Sequence, residues 1–145
     1  MSSDDAVLYE RRGAIAVLTL NRPDNRNSMT PDVFAAFERS VERAAAEDDV
    51  RCVVITGKGS CFSSGADFKS QIQSDAGEGS LSHERSYAMY TPFLRVLDLD
   101  VPVIGALNGH AVGGGFGLSL VCDLRVANQT SKYGANFARL GLSAG

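Results

Sequence analysis

The sequence predicts an α/β fold, and three observations carry that reading. Short apolar runs rich in β-branched residues recur at residues 14–20 (AIAVLTL), 51–56 (RCVVIT) and 101–107 (VPVIGAL). Between the first two, Val33, Phe37, Val41 and Ala44 fall at helical spacing. Each run is closed by glycine, proline or asparagine, residues that end strands and open turns. Strands that are apolar throughout and alternate with helices belong to sheets covered on both faces.

In chain order, residues 14–20 form a strand that ends in the loop Asn21-Arg22-Pro23-Asp24. Thr30, Pro31 and Asp32 then supply an N-cap hydroxyl, a proline at the first helical position and an acid in the first turn, so a helix is expected to run to about Glu47. Residues 51–56 are a buried strand bounded by Gly57, and the polar stretch 69–82 reads as a loop beside a site. Tyr87, Tyr90, Leu94 and Leu97 keep a 3-4-3 spacing that predicts a second helix with these residues in the core, kinked or restarted at Pro92. Residues 101–107 are a third strand, and a glycine turn leads into a short helix at 116–122. A further strand follows at 123–127, and one helical turn is expected near 136–140. The sequence shows no internal repeat and no low-complexity tract.

A chain of 145 residues that is 44% hydrophobic can form one domain, expected over 1–145. At that length folding hides roughly 68% of the unfolded surface, enough for a core without staples. The net charge of −3 argues against a nucleic-acid binder that works by phosphate neutralisation. Three cysteines without paired spacing suggest neither a disulfide framework nor a metal site, and reduced thiols fit a cytoplasmic protein. The acidic start and apolar stretches of under ten residues give no secretion signal and no membrane span. The chain stops at Gly145 in what reads as the middle of an element, which suggests truncation at the C-terminus.

The densest chemical signal is a pair of small-residue loops, each following a buried strand: residues 57–67 (GKGSCFSSGAD) and 108–115 (NGHAVGGG). Glycines let main-chain N–H groups approach a ligand oxygen closely, and a helix start behind such a turn adds partial positive charge. Two such loops can together form a two-donor oxyanion hole. There is no GxxxxGK[ST] and no GxGxxG, which argues against nucleotide triphosphate chemistry. The GLSAG of residues 141–145 matches GxSxG but lacks a preceding strand and any chain for its partners, so it reads as coincidence.

Asn21-Arg22-Pro23 with Asn27, the FSSGAD of 62–67, and the run NGHAVGGG through CDLRVA at 122–127 together resemble the enoyl-CoA hydratase/isomerase (crotonase) family, from about residue 7 to 145. The resemblance implies a crotonase-like spiral of ββα units whose C-terminal helical part is missing here. It implies acyl-CoA thioester as substrate or ligand in fatty-acid or related metabolism, without cofactor or metal. A homo-trimer or hexamer is implied only for a full-length chain. By motif position the oxyanion donors would be the main-chain N–H groups of Ala66 and Gly114. Ser64, Gly65, Asp67, Phe68 and Gly113 would line the thioester and CoA, and Arg22 or Lys69 would lie near its phosphates.

The chain departs from the family at the proton-transfer positions. Hydratases of the family carry glutamates where this sequence has Gly117 and Phe137, and some isomerases carry a carboxylate where it has Gly145. An acid–base group typically contributes about 10²- to 10⁴-fold, so the usual two-glutamate hydration should be very slow. The resemblance therefore leaves two expectations, an acyl-CoA enzyme of hydratase/isomerase type and a non-catalytic acyl-CoA binder. Asp75, Glu78, His83 and Glu84 could stand in as acids but read first as solvated groups. His110 reads as a packing or hydrogen-bonding residue, Asn27 as the cap or brace of a turn, and Asp123 with Arg125 as an ion pair.

Overall fold

The computed structural model describes residues 6–66 and 90–141. β1 (Val7–Arg12) and β2 (Ile15–Leu20) form an antiparallel hairpin. β2 then pairs in parallel with β3 (Cys52–Gly57), β3 with β5 (Val103–Leu107), and β5 with β7 (Leu124–Ala127), giving a five-stranded sheet in the order β1-β2-β3-β5-β7. A second, smaller parallel sheet joins β4 (Cys61–Ser63), β6 (His110–Val112) and β8 (Tyr133–Gly134).

The two sheets are built by one repeating step. β3 of the large sheet leads to β4 of the small one. β5 leads to β6 and then to the helix α2 (Gly114–Leu120). β7 leads to β8 and then to a 3-10 turn, Phe137–Leu140. The first unit follows the same path: β2, then Met29 bridging in parallel to Ala66, then the helix α1 (Pro31–Ala46). This structural repetition is carried without any sequence repetition. Each unit needs only an apolar run, a small-residue crossing and a helix, and different residues meet those needs.

α1 follows its expected spacing closely. Val33, Phe37, Val41 and Ala44 are buried, joined by Ala36 and Ser40. Phe37 is fully buried and meets Phe93 edge-on at 5.5 Å between centroids, while Phe34 meets the same ring at 5.0 Å. The α1 C-terminus is tied to the hairpin by Glu47, which accepts from the Tyr9 hydroxyl at 2.9 Å and from Arg11. Thr30 does occupy the N-cap with extended backbone, but its hydroxyl bonds the Asp32 carboxylate rather than a helix N–H.

Several sequence expectations are corrected. β1 precedes the first expected strand. It is an edge strand with an alternating burial pattern, so it shows no continuous apolar run. β4, β6 and β8 lie in segments read as loops, because two or three residues are too few to show periodicity. α2 starts at Gly114, two residues before the expected 116, so the glycine triplet runs into the helix instead of preceding it. In the segment that begins at Tyr90, Phe93 and Val96 face the core, whereas Leu94 and Leu97 are exposed. Residues 90–94 are helical through Pro92 and continue into a 3-10 turn at Arg95–Asp98, a tighter winding in which residues three apart, such as Phe93 and Val96, share a face.

Asp123 and Arg125 do not serve as an ion pair to each other. Asp123 accepts the Val103 N–H at 2.7 Å, and Arg125 donates to the carbonyls of Ser119 at 3.2 Å and Cys122 at 2.6 Å. A helix end leaves carbonyls without partners, and a guanidinium placed there satisfies them. Among the described residues no helix is long and apolar enough to cross a membrane.

Candidate functional site

The crossings between sheets are held by side-chain amides. Asn27 is fully buried. Its Oδ1 accepts the Arg22 N–H at 2.8 Å, and its Nδ2 donates to the carbonyls of Lys58 at 3.0 Å and Cys61 at 2.8 Å. The brace expected of Asn27 is thus one between two units as well as within a turn. Asn108 does the same one unit on, accepting the Gly57 N–H at 3.0 Å and donating to the Gly59 carbonyl at 2.8 Å. The Asn128 side chain donates in turn to the Asn108 carbonyl at 3.2 Å. Sequence reading missed Asn108 and Asn128 in this role, although an asparagine immediately after a strand recurs at Asn21, Asn108 and Asn128. His110 is a hydrogen-bonding residue, its Nδ1 accepting the Lys132 N–H at 2.8 Å.

These braces bring the two glycine loops together. Ser63 is fully buried, donates to the Asn27 carbonyl at 2.8 Å and accepts the Gly65 N–H at 3.2 Å. The Ser64 N–H donates to the Arg26 carbonyl at 3.0 Å, and the Gly65 carbonyl accepts the Met29 N–H at 2.9 Å. Gly65 has φ +81, a conformation that L side chains rarely adopt. A Cβ there would lie 2.6 Å from the Val112 carbonyl oxygen and 2.9 Å from the Gly114 nitrogen. Gly115 packs as closely, with a notional Cβ 2.4 Å from the Ser63 carbonyl oxygen. The loops therefore touch backbone to backbone, at Gly65 and Gly114.

Gly113, φ 56 and ψ −125, turns the chain from β6 into α2, its N–H donating to the Gly134 carbonyl at 3.0 Å. Among the described residues, the backbone bonds outside helices and strands leave the N–H groups of Ala66 and Gly114 untaken. Met29 and Tyr90 flank Gly114: a Cβ on it would stand 2.9 Å from Met29 Sδ and 3.6 Å from Tyr90 Cε1. At Gly117 a Cβ would meet nothing within 4 Å among the described residues, so the position is open to them as well as empty of any acid.

A second feature lies at the Arg22 end of the same brace. Arg22 donates to Asp32 at 2.8 Å, and its other terminal nitrogen, Nη1, is buried with no hydrogen-bond partner among the described residues. Arg22 and Lys58 line a cavity of about 370 Å³ together with Asn21, Pro23, Asp24 and Asn25. Burial alone would raise the Asp32 pKa, but hydrogen bonds from Thr30 and Arg22 outweigh it and hold the carboxyl below its usual range. A depressed folded pKa stabilises the protein above the unfolded value of about 4 and is lost as pH falls through the folded one. Asp32→Asn is therefore expected to lower stability at pH 7 by less than about 1 kcal/mol, since solvent reaches the pair. The gap from wild type should close below about pH 4 in urea melts. A gap unchanged by acid would show that the pair contributes nothing.

Of the residues expected in the site, Ala66, Gly65, Ser64, Gly113 and Gly114 are brought together, and Arg22 stands at the neighbouring cavity. Asp67, Phe68 and Lys69, the polar stretch 69–82, and Asp75, Glu78, His83, Glu84 and Tyr87 lie outside the described residues, as does most of the GLSAG match.

The sequence pattern of the enoyl-CoA hydratase/isomerase family matches residues 10–145. The chain belongs to that family. Among curated proteins it is 37% identical over 145 residues to the probable enoyl-CoA hydratase EchA14 of Mycobacterium tuberculosis, covering all of this chain and 56% of that one. A putative enoyl-CoA hydratase of Thermus thermophilus is 35% identical over 92% of this chain and 53% of its own length. Among solved structures, a putative enoyl-CoA hydratase/isomerase from Mycobacterium abscessus superposes with a TM-score of 0.87 at 30% identity, over 96% of this chain and 54% of that one. The fold is accordingly the crotonase fold, and the chain spans about half the length of the curated relatives it matches.

Proposed function

We propose that this protein is an acyl-CoA-dependent enzyme of hydratase/isomerase type that grips a thioester carbonyl between the main-chain N–H groups of Ala66 and Gly114. The observation that supports this most is the backbone contact of the two glycine loops, with Gly114 nitrogen 2.9 Å from the Cβ position of Gly65. Removing a proton beside a thioester, or adding to its conjugated double bond, places negative charge on the carbonyl oxygen. Fixed donors stabilise that charge, and one such donor is typically worth about 2.7 to 4 kcal/mol. Backbone donors also do not titrate. Ser64, Gly65, Asp67, Phe68 and Gly113 would then border the thioester, with the CoA phosphates toward Arg22 or Lys69.

A second reading is favoured by Gly117 and Phe137: the protein holds acyl-CoA without turning it over. Crotonyl-CoA separates the two. Loss of the conjugated-thioester absorbance supports the enzyme, whereas calorimetric binding with flat absorbance supports the binder. Absence of binding by calorimetry would sink both. Gly117→Glu is accommodated by the open space at that position, and it should turn a binder toward hydration if the two main-chain donors are in place.

A further inference from the structure

Tyr90 is the side chain that the thioester reading leaves without a task. Its Cε1 lies 3.6 Å from the Cβ position of Gly114, and the hydroxyl hangs on the adjacent ring carbon, so the phenol borders the same glycine as the proposed main-chain donor. Three nearby hydroxyls are engaged. Ser63 donates to the Asn27 carbonyl, Ser119 to the Phe116 carbonyl at 2.6 Å, and Tyr133 to the Asn128 carbonyl at 2.7 Å. Among the described residues no group is hydrogen-bonded to the Tyr90 hydroxyl, although the ring packs against the core. A phenylalanine would pack as well, so packing leaves the hydroxyl available to a ligand.

We propose that the Tyr90 hydroxyl donates a hydrogen bond to the bound acyl thioester beside Gly114, supplementing the main-chain donors. This rests on the thioester reading above and adds to it a side-chain donor. The proposal fits the residue's chemistry: burial raises the phenol's pKa, so it stays protonated at neutral pH and acts as a donor rather than a base. It also fits the positions that are vacant, since neither Gly117 nor Phe137 can donate to the substrate from a side chain.

The test compares wild type with Tyr90→Phe, using crotonyl-CoA and free CoA as probes. Calorimetry reads affinity, and Raman spectroscopy of bound crotonyl-CoA reads the polarisation of its conjugated carbonyl. Tyr90→Phe is expected to weaken crotonyl-CoA binding by about threefold to tenfold, the range of one hydrogen bond. The carbonyl band should move back toward its free position, while free CoA binds as before and Tm is unchanged or raised. Equal affinity and an equal band shift in the two proteins would overturn the Tyr90 assignment while leaving the thioester reading intact. A fall in Tm together with a parallel loss of free CoA binding would also overturn it, as the mark of a structural role. Failure of wild type to bind crotonyl-CoA would instead bring down the thioester reading, and the assignment with it.

Discussion

Gly65→Ala is expected to lose about 3 kcal/mol of stability or more, together with acyl-CoA binding. Two costs combine. The backbone at φ +81 is left-handed, which an L residue adopts at a cost of about 1–2 kcal/mol. The added methyl would also sit 2.6 Å from the Val112 carbonyl oxygen and 2.9 Å from the Gly114 nitrogen, both backbone atoms of the facing loop. Neither can swing aside as the end of a side chain would. Relief requires the two loops to part, and their approach is what would let two N–H groups serve one oxygen. Affinity for crotonyl-CoA should therefore fall further than stability alone accounts for. Gly117→Ala is the matched control: its methyl enters open space in a helix, and stability should rise by roughly 0.5–1 kcal/mol. Urea melts and calorimetry on the pair decide it. Comparable stability and binding in the two variants would mean that the loops do not need their close contact.

The contrast between those glycines shows what sequence can and cannot carry. The buried strands β2, β3 and β5 and the helix α1 announce themselves because burial of a whole run or a whole face leaves a periodic record over five or more residues. β4, β6 and β8 leave no such record, being two or three residues long and fixed by pairing with chain far away. That the two glycine loops come together was expected from the sequence, but which atoms touch was not, since that depends on how successive units stack. Leu94 and Leu97 misled for a related reason. Their spacing suits an α-helix, but the residues that reach the core are Phe93, in the helical residues 90–94, and Val96, in the 3-10 turn at Arg95–Asp98. Tyr90 shares the segment, and its place beside Gly114 depends on tertiary packing that no local pattern encodes.

Asn27→Ala is expected to cost about 3–5 kcal/mol, from three separate losses. The Arg22 N–H loses its acceptor, and the Lys58 and Cys61 carbonyls lose their donor, each an unpaired group near or in the core costing about 1–3 kcal/mol. The position also has φ 52, which asparagine tolerates better than alanine. Asn27→Asp separates the parts of this loss. It keeps the acceptor for Arg22, yet it turns the donor into a second carboxylate oxygen facing two carbonyls. That environment disfavours the charged form and lifts the folded pKa above the unfolded value of about 3.9. A raised folded pKa means stability that is fully present below the unfolded pKa and lost as pH rises through the folded one. Asn27→Asp should therefore approach wild type in acid and fall away toward neutrality, whereas Asn27→Ala stays low throughout. Urea midpoints from pH 4 to 8 read the difference. A flat Asn27→Asp profile would show that the Lys58 and Cys61 carbonyls do not depend on this amide. The hold of the first unit on β4 and Gly65 would then have to come from the Ser63 hydroxyl and backbone pairing.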